Sequence, residues 1–194
     1  MGAVSSILDF KERWDTPTLV LVDLHDSASA SAFPHRKELA DALEKCRMAL
    51  RYARQHSLPV AFVRQMSPAP SFLAPRAYPS WMQDITPRRT EMVFERSLPS
   101  CYASNEFAQM ARVSRGLVLA GLFGETSCLA TLIDGYSRSH IFTYLTDSSV
   151  SLGHSGIPSG EMHRSVAGIA SVYSDVSQTH AWIDRMSKRI GAVN

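Results

Sequence analysis

Three apolar runs and one weaker strand-like stretch in this sequence each end beside a side chain that can do chemistry. Leu-Val-Leu-Val leads into Asp23, Val60 to Val63 ends near Gln65, and Glu91 to Glu95 is followed by Arg96. The fourth, Leu117 to Ala120, opens into Gly121-Leu-Phe-Gly-Glu-Thr-Ser-Cys128. An acid, a fixed cation and a hydroxyl–thiol pair on three strand ends make a catalytic set. Singly, each has an ordinary use. Asp23 can cap the segment after it, Arg96 can form a surface ion pair, and Ser127 can bond backbone at a helix start. Cys128 can fill core. Their joint placement singles them out.

The elements that must position them follow from periodicity. Thr18 to Val22 reads as a strand buried on both faces. Leu39, Leu43, Cys46, Leu50 and Ala53 mark one face of a helix over 36–54, which makes Cys46 core. Further strands are expected near 60–64, 91–95, 117–120, 141–145 and 172–177. Ser104 caps a helix to about Val113, and helices are expected over about 161–170 and 178–190. Gly121 and Gly124 permit a tight turn, after which Leu129, Leu132, Ile133 and Tyr136 recur as the buried stripe of a helix. Strands and helices alternate with no repeat and no composition break. The expected fold is one α/β domain over residues 1–194, with a parallel sheet, helices on both faces and right-handed crossovers. In such sheets ligands bind beyond the carboxyl ends of the strands, where Asp23, Gln65, Arg96, Gly124 to Cys128 and Asp147 fall.

Two stretches lack periodicity. Residues 1–14 are expected to form at most a short helix packed against the body. Met66 to Arg89 is rich in proline and aromatics, and reads as a lid or specificity loop. Its Phe72, Tyr78 and Trp81 are apolar anchors for a ligand or partner.

Composition narrows the classes. Apolar residues make up 45% and charged residues 20% of the 194, as in an ordinary globular protein. The formal charge of +2, with no basic run, gives no footprint for nucleic acid or a membrane surface. No segment reaches membrane-span length, and the N-terminus lacks a signal-peptide core. Cys46, Cys101 and Cys128 are few and far apart, which suits free thiols in the cytoplasm.

The order Leu-Val-Leu-Val-Asp23, Arg96 with Ser100 and Tyr102 behind it, and Ala-Gly121…Ser-Cys128…Asp134 resembles the isochorismatase-like cysteine hydrolases, from about Pro17 to Trp182. The resemblance implies a three-layer α/β/α domain with a six-stranded parallel sheet, assembled as a homo-oligomer. It implies hydrolysis of a small-molecule substrate at an amide, carbamoyl or related C–N bond. A branch of that family instead cleaves the vinyl ether of isochorismate, its aspartate acting as general acid and a glutamine, matched here by Gln65, lying near substrate. A third possibility is a binding homologue with impaired catalysis. Substrate-side positions implied are Gln65, Trp81, Tyr102, Phe123 and Gly124. Metal-dependent members carry an Asp/His cluster that has no counterpart here, so neither metal nor cofactor is expected.

Two positions of the family's Asp–Lys–Cys triad depart. Asp23 matches, but Arg96 holds the lysine position. The nucleophile slot, six residues after Gly121 and seven before Asp134, holds Ser127, with Cys128 one place later. Arginine stays charged and forks onto carboxylates, whereas a lysine can change protonation when buried. A serine hydroxyl needs a strong neighbouring base. His25 would serve if turned inward, although a solvent-facing place is expected for it. Both Ser127 and Cys128 start a helix, where dipole and free N–H groups favour a thiolate and an oxyanion. Because Cys128 lies nearer the buried stripe, Ser127 is expected toward the pocket and Cys128 toward the core.

Overall fold

β1 (Thr18–Val22) is buried at every position because a helical layer covers each of its faces. Leu19 and Leu21 point into one layer, Val20 and Val22 into the other. The computed structural model describes residues 16–26, 36–66 and 79–191. Beside β1 lie β2 (Val60–Gln65), β3 (Met92–Arg96), β4 (Leu117–Gly121), β5 (Phe142–Ser149) and β6 (Asp175–Ser177). The sheet order is β3-β2-β1-β4-β5-β6, with every pairing parallel. Strand order therefore reverses between β1 and β4, the crevice where open α/β sheets take ligands.

Helix α1 (Arg36–Gln55) and the terminal helix α5 (Thr179–Gly191) cover one face. The first contributes Leu39, Cys46, Leu50 and Ala53, and the second Trp182 and Met186. On the other face lie α2 (Asn105–Val113), α3 (Leu129–Ser137) and α4 (Ser159–Ala170), through Phe107, Ala111, Cys128, Leu132, Val166 and Ala170. Ser104 caps α2, its hydroxyl accepting from Phe107 N–H. The expected three-layer α/β/α architecture is the one found.

Several local expectations need correction. In α3, Ile133 and Tyr136 are 39% and 58% exposed. Leu132 is buried as expected, and the rest of the buried line is Cys128, just before α3, with Thr131 and Gly135. Gly135 sits against the Phe142 ring, where a Cβ would stand 2.2 Å from a ring carbon, so this residue sets which side of α3 faces the sheet. β6 is shorter than expected. Ser174 N–H turns back to Ala170 O at 2.9 Å, spending on the end of α4 a donor that a longer strand would use. β5 runs on to Ser149, and Asp147 near its carboxyl end is spent on a helix start. Asp147 Oδ1 accepts from the N–H and hydroxyl of Thr179, both at 2.7 Å, at the start of α5. Residues 1–14, and Phe72 and Tyr78 of the aromatic loop, lie outside the described residues. The described end of that loop is anchored, with Met82 and Ile85 in the core.

Candidate active site

Register brings the reactive side chains together. Val22 stands opposite Val63 and Gly121, and Gln65 opposite Arg96, so four strands end at one level. Just past those ends the backbone takes a left-handed conformation at two non-glycine residues, Asp23 (φ 55) and Phe123 (φ 58). Non-glycine residues held there store strain, and such positions cluster at functional sites. Gly121, with φ 142, passes so close to β1 that a Cβ would lie 2.2 Å from Val22 O.

At this edge Asp23, Arg96 and Ser127 form a closed triangle, exposed by 1%, 2% and 1%. Ser127 Oγ donates to Asp23 Oδ2 at 2.8 Å, and Arg96 Nη2 donates to Ser127 Oγ at 2.8 Å. The same Nη2 bonds Asp23 Oδ2 in a buried ion pair. Arg96 Nη1 donates to Leu98 O at 2.6 Å and to Gln65 Oε1 at 3.2 Å. Gln65 also contributes its backbone N–H to Asp23 Oδ1 at 2.8 Å. A buried ion pair is costly unless every charge is bonded, and here the carboxylate takes three donors.

The turn carrying Ser127, Gly124–Cys128, is a single π-helical turn leading into α3. Such turns are frequent at functional sites. Gly124 is needed in it, since a Cβ would meet Ser151 Oγ at 2.5 Å and Tyr144 Oη at 3.0 Å. The expectation of free N–H groups fails for two amides: Thr126 N–H and Cys128 N–H both turn back to Phe123 O, at 3.1 and 3.2 Å. Cys128 is 0% exposed, its Sγ lying 3.7 Å from Leu122 O. Burial pushes its thiol well above the ordinary cysteine value, and burial pushes Cys101 to about 11 and Cys46 to about 12. The hydroxyl faces the acid–cation pair; the thiol does not.

Two of the substrate-side positions are spent elsewhere. Tyr102 Oη bonds His140 Nδ1 at 2.6 Å, with its ring between Phe107 and the Arg138 guanidinium. The Trp81 ring packs on Phe62 and under Arg64. His25 is turned inward, contrary to expectation, and is 6% exposed with Nε2 3.9 Å from Asp23 Oδ1. Its signal in the sequence was the Asp-x-His spacing beyond β1. Thr131 was also missed: its Oγ1 donates to Ser127 O at 2.7 Å and accepts from Cys101 N–H at 3.0 Å. That ties α3 to the Cys101–Ala103 turn, and the clue was its place one helical turn after Ser127. Among the described residues no group of three or more His, Cys, Asp or Glu side chains could hold a metal ion. No helix there is long and apolar enough to cross a membrane.

A six-stranded parallel sheet in the order 3-2-1-4-5-6, with an acid, a cation and a hydroxyl converging at its switch point, defines a three-layer α/β domain with a candidate site at that point. The isochorismatase-domain family model matches residues 17–156, and the chain belongs to the isochorismatase family of hydrolases. Solved structures share its fold at low identity. A candidate isochorismatase from Burkholderia xenovorans LB400 is 20% identical over 89% of each chain, with a TM-score of 0.78. A cysteine hydrolase from Pseudomonas syringae pv. phaseolicola 1448A is 16% identical over 91% of this chain and 94% of its own, at 0.75. N-carbamoylsarcosine amidase from Thermoplasma acidophilum is 18% identical over 84% and 96%, at 0.66. No match is found among curated proteins.

Proposed function

We propose that the chain hydrolyses a small amide, carbamoyl or related C–N substrate, with Ser127 as nucleophile, Asp23 as proton acceptor and Arg96 as fixed positive charge. One observation carries this reading: the Ser127 hydroxyl donates to Asp23 Oδ2 while accepting from Arg96 Nη2, both at 2.8 Å. As Ser127 Oγ attacks the substrate carbonyl carbon, its proton passes to Asp23, and Arg96 stabilises charge left on the oxygen. Collapse of the tetrahedral intermediate breaks the C–N bond, and Asp23 returns the proton to the departing nitrogen. Water, deprotonated by Asp23, then attacks the ester carbon; the acyl–oxygen bond breaks, the acid product leaves, and Ser127 Oγ takes the proton back from Asp23. On this reading Gln65, Phe123 and Gly124 line the substrate side of the site. The amidase of Thermoplasma acidophilum, which shares the fold, lends support to the substrate class.

The test is a panel of small amides and carbamoyl compounds assayed for ammonia release. Wild type is expected to turn over at least one. Asp23→Asn and Ser127→Ala should each lose about two orders of magnitude or more, the scale of removing a general base or a nucleophile. Unchanged turnover in Ser127→Ala ends the reading. Vinyl-ether cleavage is the weaker reading. A general acid must donate a proton, whereas all three hydrogen bonds described at the Asp23 carboxylate are donated to it. Pyruvate released from isochorismate would install it all the same, and ligand binding without turnover would mark an impaired homologue. The three free, buried cysteines suit the cytoplasm. Exposed Ile133, Tyr136, Ile169 and Val172 on and after α3 and α4 favour a homo-oligomer, which light scattering at micromolar concentration checks.

A further inference from the structure

His25 is a buried titratable side chain that the reaction above does not use. Its Nε2 stands 3.9 Å from Asp23 Oδ1, the carboxylate oxygen that does not face Ser127. Backbone bonds hold it there from both sides. Met82 N–H donates to Leu24 O at 3.1 Å, Asp26 N–H donates to Ser80 O at 2.9 Å, and His25 pairs with Trp81 between them. The Trp81 ring is in turn wedged between Phe62 and the Arg64 guanidinium, so the clasp rests on β2. Among the described residues the charges facing the imidazole are Asp23 and Asp26 from its own loop, Arg64 from β2 and Arg96 from β3. Burial acts most strongly and disfavours the imidazolium. The two arginines add to that, and the two aspartates oppose it.

Resting on the reading of Asp23 as proton acceptor, we infer that His25 is a positioning residue for that carboxylate. Neutral, it flanks Oδ1 and leaves Oδ2 turned to the Ser127 proton. Protonated, it sets a second positive charge beside Asp23, at the oxygen opposite the Arg96 pair, and weakens the carboxylate as a base. No bond to the substrate is made or broken by His25; a single proton enters or leaves its ring. Histidine is suited to this because its charge changes between about pH 5 and 8.

Two measurements test it. The first is the pH profile of kcat/KM for wild type and His25→Gln, on whichever panel substrate is turned over. Wild type should show an acid limb with its midpoint below 6.5, the ordinary histidine value. In His25→Gln that limb should move down by about one pH unit or more, with turnover at neutral pH retained to within about tenfold. A limb that stays in place overturns the inference. The second needs no substrate: the His25 ring is followed by NMR through a pH titration in wild type and in Asp23→Asn. Removing the carboxylate charge should lower the His25 midpoint, and an unchanged midpoint in a folded Asp23→Asn overturns the coupling. If the panel gives no turnover while the midpoint shifts, the hydrolase reading fails and the coupling stands. If Asp23→Asn does not fold, the kinetic profile decides.

Discussion

At the scale of single residues, the triangle depends on the fork of Arg96. Its two terminal nitrogens serve four acceptors: Asp23, Ser127, Gln65 and Leu98 O. Lysine has three donors on one nitrogen, so Arg96→Lys cannot reproduce the set and should give up the links to Gln65 and Leu98. Arg96→Met should be harsher, costing about 3–5 kcal/mol in urea unfolding, because it strands a buried carboxylate. Wild-type stability in that variant would show that the pair is not buried as described. The adjacent thiol gives a sharper test. Cys128 is sealed and held protonated by burial, so iodoacetamide should leave turnover intact and Cys128→Ala should keep most activity. Rapid alkylation with loss of turnover would return the nucleophile to cysteine. The Ser127 slot was reached by counting from Gly121 and Asp134 against the family pattern, and the count holds because local geometry fixes a strand–turn–helix junction. The spacing marked His25 but not its inward turn, which depends on Trp81, more than fifty residues away, and sequence periodicity is blind to such pairings.

At the scale of elements, the site is made by how β1 and β4 end. Asp23 and Phe123 both adopt left-handed backbone where the strands stop, and Gly121 lets the two backbones approach. Gly121→Ala should therefore act on stability and activity together. The new Cβ would lie 2.2 Å from Val22 O, on a backbone angle that alanine rarely adopts. Overpacking and strain of this kind cost about 2 kcal/mol or more, a fall in Tm of about 4–8 °C at this size. Turnover should drop further than stability explains, since β1 must shift at the residue before Asp23. A variant with unchanged Tm would mean that the strands have room to part. The buried strands were easy to read, because a strand covered on both faces is apolar throughout and β1, β2 and β4 are short and bounded by turn residues. The stripe of α3 was misread because Ile133 and Tyr136 are apolar yet exposed, while the buried contacts fall to Thr131 and Gly135. Hydrophobicity cannot see that a helix approaches the sheet through a glycine.

At the scale of the whole molecule, burial of ionisable groups sets how stability depends on pH. His25 and His140 both titrate below the ordinary histidine value of 6.5 in the folded chain, chiefly through burial, with nearby arginines adding to it. The unfolded chain therefore binds more protons than the folded one just below pH 6.5. Stability from these two groups is complete above 6.5 and declines as the pH falls below it. Glu91 behaves differently. Burial alone would raise its pKa, but bonds from Arg54 and the Arg88 N–H outweigh that and lower it, so its contribution persists until the pH drops below 4.5. Acidification should thus weaken the fold in two stages: first as the pH falls below 6.5 through the histidines, then below 4.5 through carboxylates. Urea unfolding at closely spaced pH values checks this. The double variant His25→Gln, His140→Gln should flatten the first stage and leave the second in place. A wild-type stability that is level, or that rises, as pH falls from about 7 to 5 would show that neither imidazole is held neutral by the fold.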